Sequence, residues 1–195
     1  MSAGVYTATI GSQTVELPLI EVAEDLTIAL LMTIDHGVAF NQIAGGELAE
    51  QIRDADVELV VSAATLGIPV AIEVTRALGL DDYLILQKSN KVHLREALSE
   101  PLKSITSDGR QRLLLDPARL GQLDGARVAF VDDVISSGAS VNAAITLLER
   151  AGAEVVAIGA LLTEGDQWRE VLGSRSSMVR ALGTIPTFPG HQTAE

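Results

Sequence analysis

Cysteine is absent from this 195-residue chain. Disulfides and thiolate metal sites are therefore excluded, and a reducing, cytoplasmic location suits the composition. Aromatic residues are nearly as scarce, with one Trp, two Tyr and three Phe, yet the apolar share is 47% and comes mainly from Ala, Leu, Val and Ile. That is the composition of a packed α/β sheet protein. Positive charge is short as well: 14 Lys and Arg stand against 26 Asp and Glu, for a formal net charge of −12. A field of that sign repels nucleic acid and anionic membranes, so neither is expected as a partner. Any polyanionic ligand must then be held by a few well-placed local donors. No basic-then-apolar leader is legible at the start, and the best apolar run, around Leu26 to Ile34, is too short to span a membrane. The length suits one ordinary domain, taken as residues 1–195.

Pattern along the chain predicts alternating strands and helices. Val5 to Ile10 and Thr14 to Ile20 flank Gly11-Ser12 and read as a hairpin. Glu21 to Ile34 reads as a helix followed by a strand, and Glu47 to Ala55 as a helix. Val57 to Val61 is a short apolar strand. Pro69 then sits where a first helical turn tolerates it, with the helix running to Leu78 and stopping at Gly79. Tyr83 to Leu86, Gly125 to Val131 and Val155 to Leu162 read as further strands. Strands alternating with helices of this length imply βαβ units and a parallel sheet. Lys88 to Gln111 is polar and long for a simple connection, the pattern of a functional loop or lid. The tail after Gly183 has no regular period and is expected to pack over the sheet's edge.

The most informative stretch is Val128-Ala129-Phe130-Val131-Asp132-Asp133-Val134-Ile135-Ser136-Ser137-Gly138-Ala139-Ser140. A buried strand is expected to end at two adjacent carboxylates. A small, hydroxyl-rich loop follows. Ser140, Val141, Ala144, Ile145, Leu148 and Ala151 then fall on one helical stripe, capped by Gly152. A strand emptying through such a loop into a helix N-terminus presents free N–H groups, with the helix dipole behind them, to a phosphate-sized anion. Two carboxylates beside a bare phosphate would repel it. They make sense if the phosphate carries a sugar whose neighbouring hydroxyls need acceptors, as in a ribose 5-phosphate. An ordinary strand-to-helix turn with two solvated Asp is the plainer alternative.

This stretch resembles the signature of the type I phosphoribosyltransferases, which use 5-phosphoribosyl-1-diphosphate (PRPP), and the order of elements is most like that of the adenine enzymes. The resemblance implies an α/β fold in a single domain, with a central, mostly parallel sheet flanked by helices and a small hood built from the N- and C-terminal segments. It implies that Ile135, Ser136, Ser137, Gly138, Ala139 and Ser140 hold the 5-phosphate. Asp132 and Asp133 would serve the ribose and the developing positive charge. Ala64, Thr65, Leu66 and Gly67, a second strand-to-helix loop, correspond to the loop that receives the diphosphate, although the Arg usual there in adenine enzymes is missing. Lys88 and Lys91 follow a strand where the family places basic residues on the diphosphate; a solvated turn would also carry them. Adenine enzymes usually have Ser-x-x-x-Glu-Tyr-Gly in the mobile loop. Lys103 to Gln111 keeps Ser104 and Gly109 but has neither Glu nor Tyr, leaving Asp108 as the candidate proton-handling carboxylate or a turn residue before glycine.

The function implied is transfer of a phosphoribosyl group from PRPP to a purine, adenine favoured, in purine salvage. Mg²⁺ would be the cofactor, carried mainly by the substrate with no dedicated protein ligands, and a homodimer is implied. Two alternatives stay open: a transferase for xanthine, hypoxanthine or another base, and a PRPP-binding regulator without transfer activity. His36, His93 and His191 stand apart from any metal pattern and read as incidental.

Overall fold

The computed structural model describes residues 4–23, 26–88, 97–102 and 112–189. Strands β1 (Gly4–Ile10) and β2 (Gln13–Ala23) form the expected hairpin, with Ile10 paired to Gln13 across the turn. The expected helix after Glu21 is not formed. The strand β2 runs on to Ala23, and β3 (Leu26–Ala29) pairs back on it through Ile20–Ile28 and Leu19–Ala29. Alternate residues of β3, Thr27 and Ala29, are buried, a period of two that the apolar run had masked.

Helix α1 (Gly37–Ile52) begins ten residues before the expected start at Glu47 and continues as a 3₁₀ turn over Arg53–Ala55. The pair Gly45-Gly46 hides it, because glycine weakens a helix interior. Gly45 has a packing reason: a Cβ there would collide with Glu73 of the neighbouring helix. Strand β4 (Leu59–Ala63) leads to that helix, α2 (Gly67–Leu78), which is closed by Gly79 at φ +75°. Strand β5 (Tyr83–Leu86) has the expected bounds.

Within the expected long loop, β6 (Leu98–Pro101) pairs antiparallel with β7 (Arg112–Leu115). A 3₁₀ turn, Pro117–Gln122, leads to β8 (Arg127–Ile135), then α3 (Ala139–Arg150) and β9 (Glu154–Glu164). Short helix α4 (Gln167–Leu172) and the 3₁₀ segment Gly173–Met178 precede β10 (Val179–Ile185). Rather than only covering an edge, the tail adds β11 (Phe188–Pro189) beside β3, completing a four-stranded hood in the order β1-β2-β3-β11.

The main sheet has the order β10-β9-β8-β4-β5 and is parallel throughout. One face buries Val61, Phe130 and Ile158 with Ala144, Ile145 and Leu148 of α3. The other buries Val60, Val131 and Leu161 with Leu48 of α1 and Val70 and Val74 of α2. From β4 the chain crosses through α2 outward to β5; from β8 it crosses through α3 the opposite way to β9. The strand order therefore reverses between β4 and β8. Open parallel sheets bind ligands in the crevice beyond the carboxyl ends of the strands at such a point. Among the described residues no helix is long and apolar enough to cross a membrane.

Candidate active site

Two helix N-termini face this crevice. Neither α2 nor α3 has an acidic residue in its first turn or a side chain capping its end. The positive ends of both dipoles are thus not offset by a carboxylate of the helix itself. Beyond β8, Ser136 is exposed, Ser137 is half-buried, and the Ala139 N–H donates to Ser137 Oγ at 3.4 Å. Gly138 caps α3 at φ +78°, a left-handed conformation that favours glycine. A Cβ there would also come within 3.0 Å of Trp168 Cα. Trp168 is almost fully buried and donates its Nε1–H to the Gly165 carbonyl at 3.0 Å. The loop after β8 is therefore shaped partly by Trp168, in the helix α4 that follows β9.

The loop after β4 contains a cis peptide between Ala64 and Thr65 and enters α2 with the Ile68 N–H donating to the Thr65 carbonyl. Gly67, first residue of α2, lies against the carboxylate pair. A Cβ on it would fall 2.6 Å from Asp132 Oδ1 and collide with Ser62 Oγ. The structure thus brings Gly67, the last residue of the Ala64 to Gly67 loop, beside Asp132.

The carboxylates themselves differ from the expectation in one respect. They lie inside β8, not at its end, because β9 continues the ladder past them to Ile135–Thr163. Asp132 is 7% exposed and Asp133 is half-buried. Burial pushes the Asp132 carboxyl well above the usual carboxylate range, and the neighbouring charge and hydrogen bond of Asp133 push it the same way. Burial also raises Asp133, opposed by its hydrogen bond with Asp132, by the N–H groups of Asp133 and Val134 and by the charge of Lys88. Burial and the neighbouring charge thus both favour the protonated form of Asp132. Lys88, exposed at the end of β5, favours the ionised form of both carboxylates. It therefore stands within electrostatic reach of the pair. Lys91, Asp108 and the whole Lys103 to Gln111 loop lie outside the described residues, as do His93 and His191. His36 is half-buried, its ring 4.7 Å from that of Phe40.

Several site-building residues carried no signal in the sequence. Thr33, Asn41 and Ser62 are buried polar groups near the loop after β4, and Trp168 supports the loop after β8. Only Trp168, the single tryptophan, stood out by type. A cavity of ≈ 390 Å³ opens elsewhere, between Asp82, Tyr83, Gln87, Asp116 and Arg119. Its charged groups are already engaged: Arg119 and Gln122 both donate to Asp82.

The phosphoribosyl transferase domain, as a family model, matches residues 36–188. This chain belongs to that family. A hypoxanthine/guanine phosphoribosyltransferase of Methanothermococcus okinawensis is 31% identical over 140 residues, 72% of each chain. A xanthine phosphoribosyltransferase of Pseudomonas putida is 27% identical over 154 residues, 78% of this chain and 80% of that protein. Among solved structures, the adenine phosphoribosyltransferase of Thermoanaerobacter pseudethanolicus superposes with a TM-score of 0.69 at 19% identity, covering 88% of this chain and 95% of that one. This last likeness concerns the phosphoribosyltransferase fold. Strands β1 to β3 of the hood precede the family match.

Proposed function

We propose that the protein transfers the 5-phosphoribosyl group of PRPP to a purine base, releasing diphosphate. The observation that carries this reading is the meeting of the N-termini of α2 and α3 with the Asp132–Asp133 pair in one crevice at the switch point of the sheet. The 5-phosphate would rest on the N–H groups of Ile135 to Ser140 and the hydroxyls of Ser137 and Ser140. The ribose hydroxyls would donate to Asp132 and Asp133. The N–H groups of Ala64 to Gly67, with Lys88 and Lys91, would take the diphosphate. As the C1′–O bond to diphosphate breaks and the C1′–N bond to the base forms, positive charge grows on the ribose ring, and the carboxylates favour it. The base gives up a proton as the bond forms, and Asp108, in the Lys103 to Gln111 segment, is the candidate acceptor.

Mg²⁺ fits as a passenger on the substrate. The crevice offers two adjoining carboxylates, one of them nearly buried. Bound to the diphosphate oxygens, Mg²⁺ would neutralise the leaving group. A cytoplasmic homodimer belongs to the same proposal.

Sequence relatives named for xanthine and for hypoxanthine/guanine support a 6-oxopurine ahead of adenine, since sequence likeness bears on a pocket more closely than fold likeness does. The choice is tested with purified protein, PRPP, Mg²⁺ and a panel of adenine, hypoxanthine, guanine and xanthine, following diphosphate release. Turnover with one or more purines is expected. The absence of the usual Glu from the Lys103 to Gln111 loop favours a second reading, a PRPP-binding regulator. That reading gains if PRPP binds tightly and no base on the panel reacts.

A further inference from the structure

The loop assigned to the diphosphate has an inner brace. Thr33, completely buried, donates its hydroxyl hydrogen to the Leu66 carbonyl at 2.6 Å, across 33 residues of chain. Thr33 is itself held in place. Asn41 Nδ2 donates to the Thr33 carbonyl at 2.8 Å and to the Gly37 carbonyl at 2.7 Å, pinning the segment between β3 and α1. Leu66 is the residue just before α2. In a trans peptide unit the carbonyl and the following N–H point in opposite directions. A carbonyl drawn toward Thr33 therefore turns the Gly67 N–H the other way. Gly67 borders Asp132, and as the first residue of α2 its N–H has no partner within the helix.

We propose that Thr33 is a positioning residue for diphosphate binding: its hydroxyl fixes the Leu66–Gly67 peptide so that the Gly67 N–H is aimed into the crevice. This rests on the PRPP-dependent reading above and extends it to a residue just outside the family match, at the root of the hood. The chain that follows the hood's β3 thereby sets the geometry of the leaving-group site.

The test uses the full-length protein and calorimetry with three probes in the presence of Mg²⁺: PRPP, inorganic pyrophosphate, and ribose 5-phosphate, which reports the other loop. Thr33→Val keeps the shape and removes the donor, and Thr33→Ser keeps the donor. Loss of one such hydrogen bond should weaken pyrophosphate binding roughly fivefold or more. Ribose 5-phosphate should bind Thr33→Val as it binds wild type, and Thr33→Ser should recover pyrophosphate affinity. Unchanged pyrophosphate affinity in Thr33→Val overturns the positioning role. So does equal weakening of pyrophosphate and ribose 5-phosphate, which would mark a general loosening of the fold. Wild type is measured first. If it binds neither PRPP nor pyrophosphate, the PRPP-dependent function falls and this inference with it.

Discussion

At the scale of single residues, the carboxylate pair couples function to stability. Asp132 ionises in the unfolded chain near the usual carboxylate range but only at higher pH in the fold, where burial and Asp133 disfavour its charge. The folded state therefore binds more protons over the window between those values, and stability falls as pH rises through it. Asp132→Asn removes that loss. The ligand-free variant should melt at higher temperature than wild type at pH 8, with the gap closing toward pH 4, while its turnover collapses. Parallel melting curves across this range would show that Asp132 ionises normally. Asp133→Asn, at the half-buried partner, should leave the fold intact and cut kcat by roughly a hundredfold, the scale of one preorganised electrostatic group. Near-wild-type turnover would remove the pair from catalysis. The adjacent Asp132 and Asp133 were legible in the sequence because the motif names them. Thr33 and Ser62 were not, since a lone hydroxyl residue in an apolar run has no pattern, and its partner is fixed only by tertiary packing.

At the scale of elements, glycines separate what could be read from what could not. Gly79 marks the end of α2 in the sequence as it does in the structure, because a left-handed terminus after a periodic run is a local signal. Gly45 misleads, because its purpose is not local. It lets α1 approach Glu73 on α2, with the Glu73 Cα 3.2 Å from where a Cβ would sit. Helix propensity alone favours Gly45→Ala by about 1 kcal/mol. The contact reverses the sign, so thermal unfolding should show Gly45→Ala less stable than wild type. A rise in Tm would mean that α1 and α2 are looser than described. Gly138 combines both kinds of constraint. Gly138→Val must force a branched residue into a left-handed conformation, at a cost of about 1–3 kcal/mol, and press on Trp168. Calorimetry should show weakened binding of both PRPP and a nucleoside monophosphate, which share the 5-phosphate; unchanged affinity for both would take the loop out of the site. Likewise, β8 outruns its expected end because β9 supplies a partner for two further residue pairs beyond Asp132, and no window around the aspartates contains that information.

At the scale of the whole molecule, alternation of strands and helices was enough to imply the parallel sheet. The hood was harder. Its β3 was hidden in an apolar run, and its fourth strand comes from residues 188–189, far along the chain from the three it joins. The central claim is that PRPP lies across the crevice between β4 and β8. A crystal structure of the protein with PRPP and Mg²⁺, without base, tests it most directly. The 5-phosphate should sit on Ser137 to Ser140, the ribose hydroxyls within hydrogen-bond distance of Asp132 and Asp133, and the diphosphate on Ala64 to Gly67. PRPP bound instead in the cavity beside Arg119 and Asp82, or with its two ends on other loops, would contradict it.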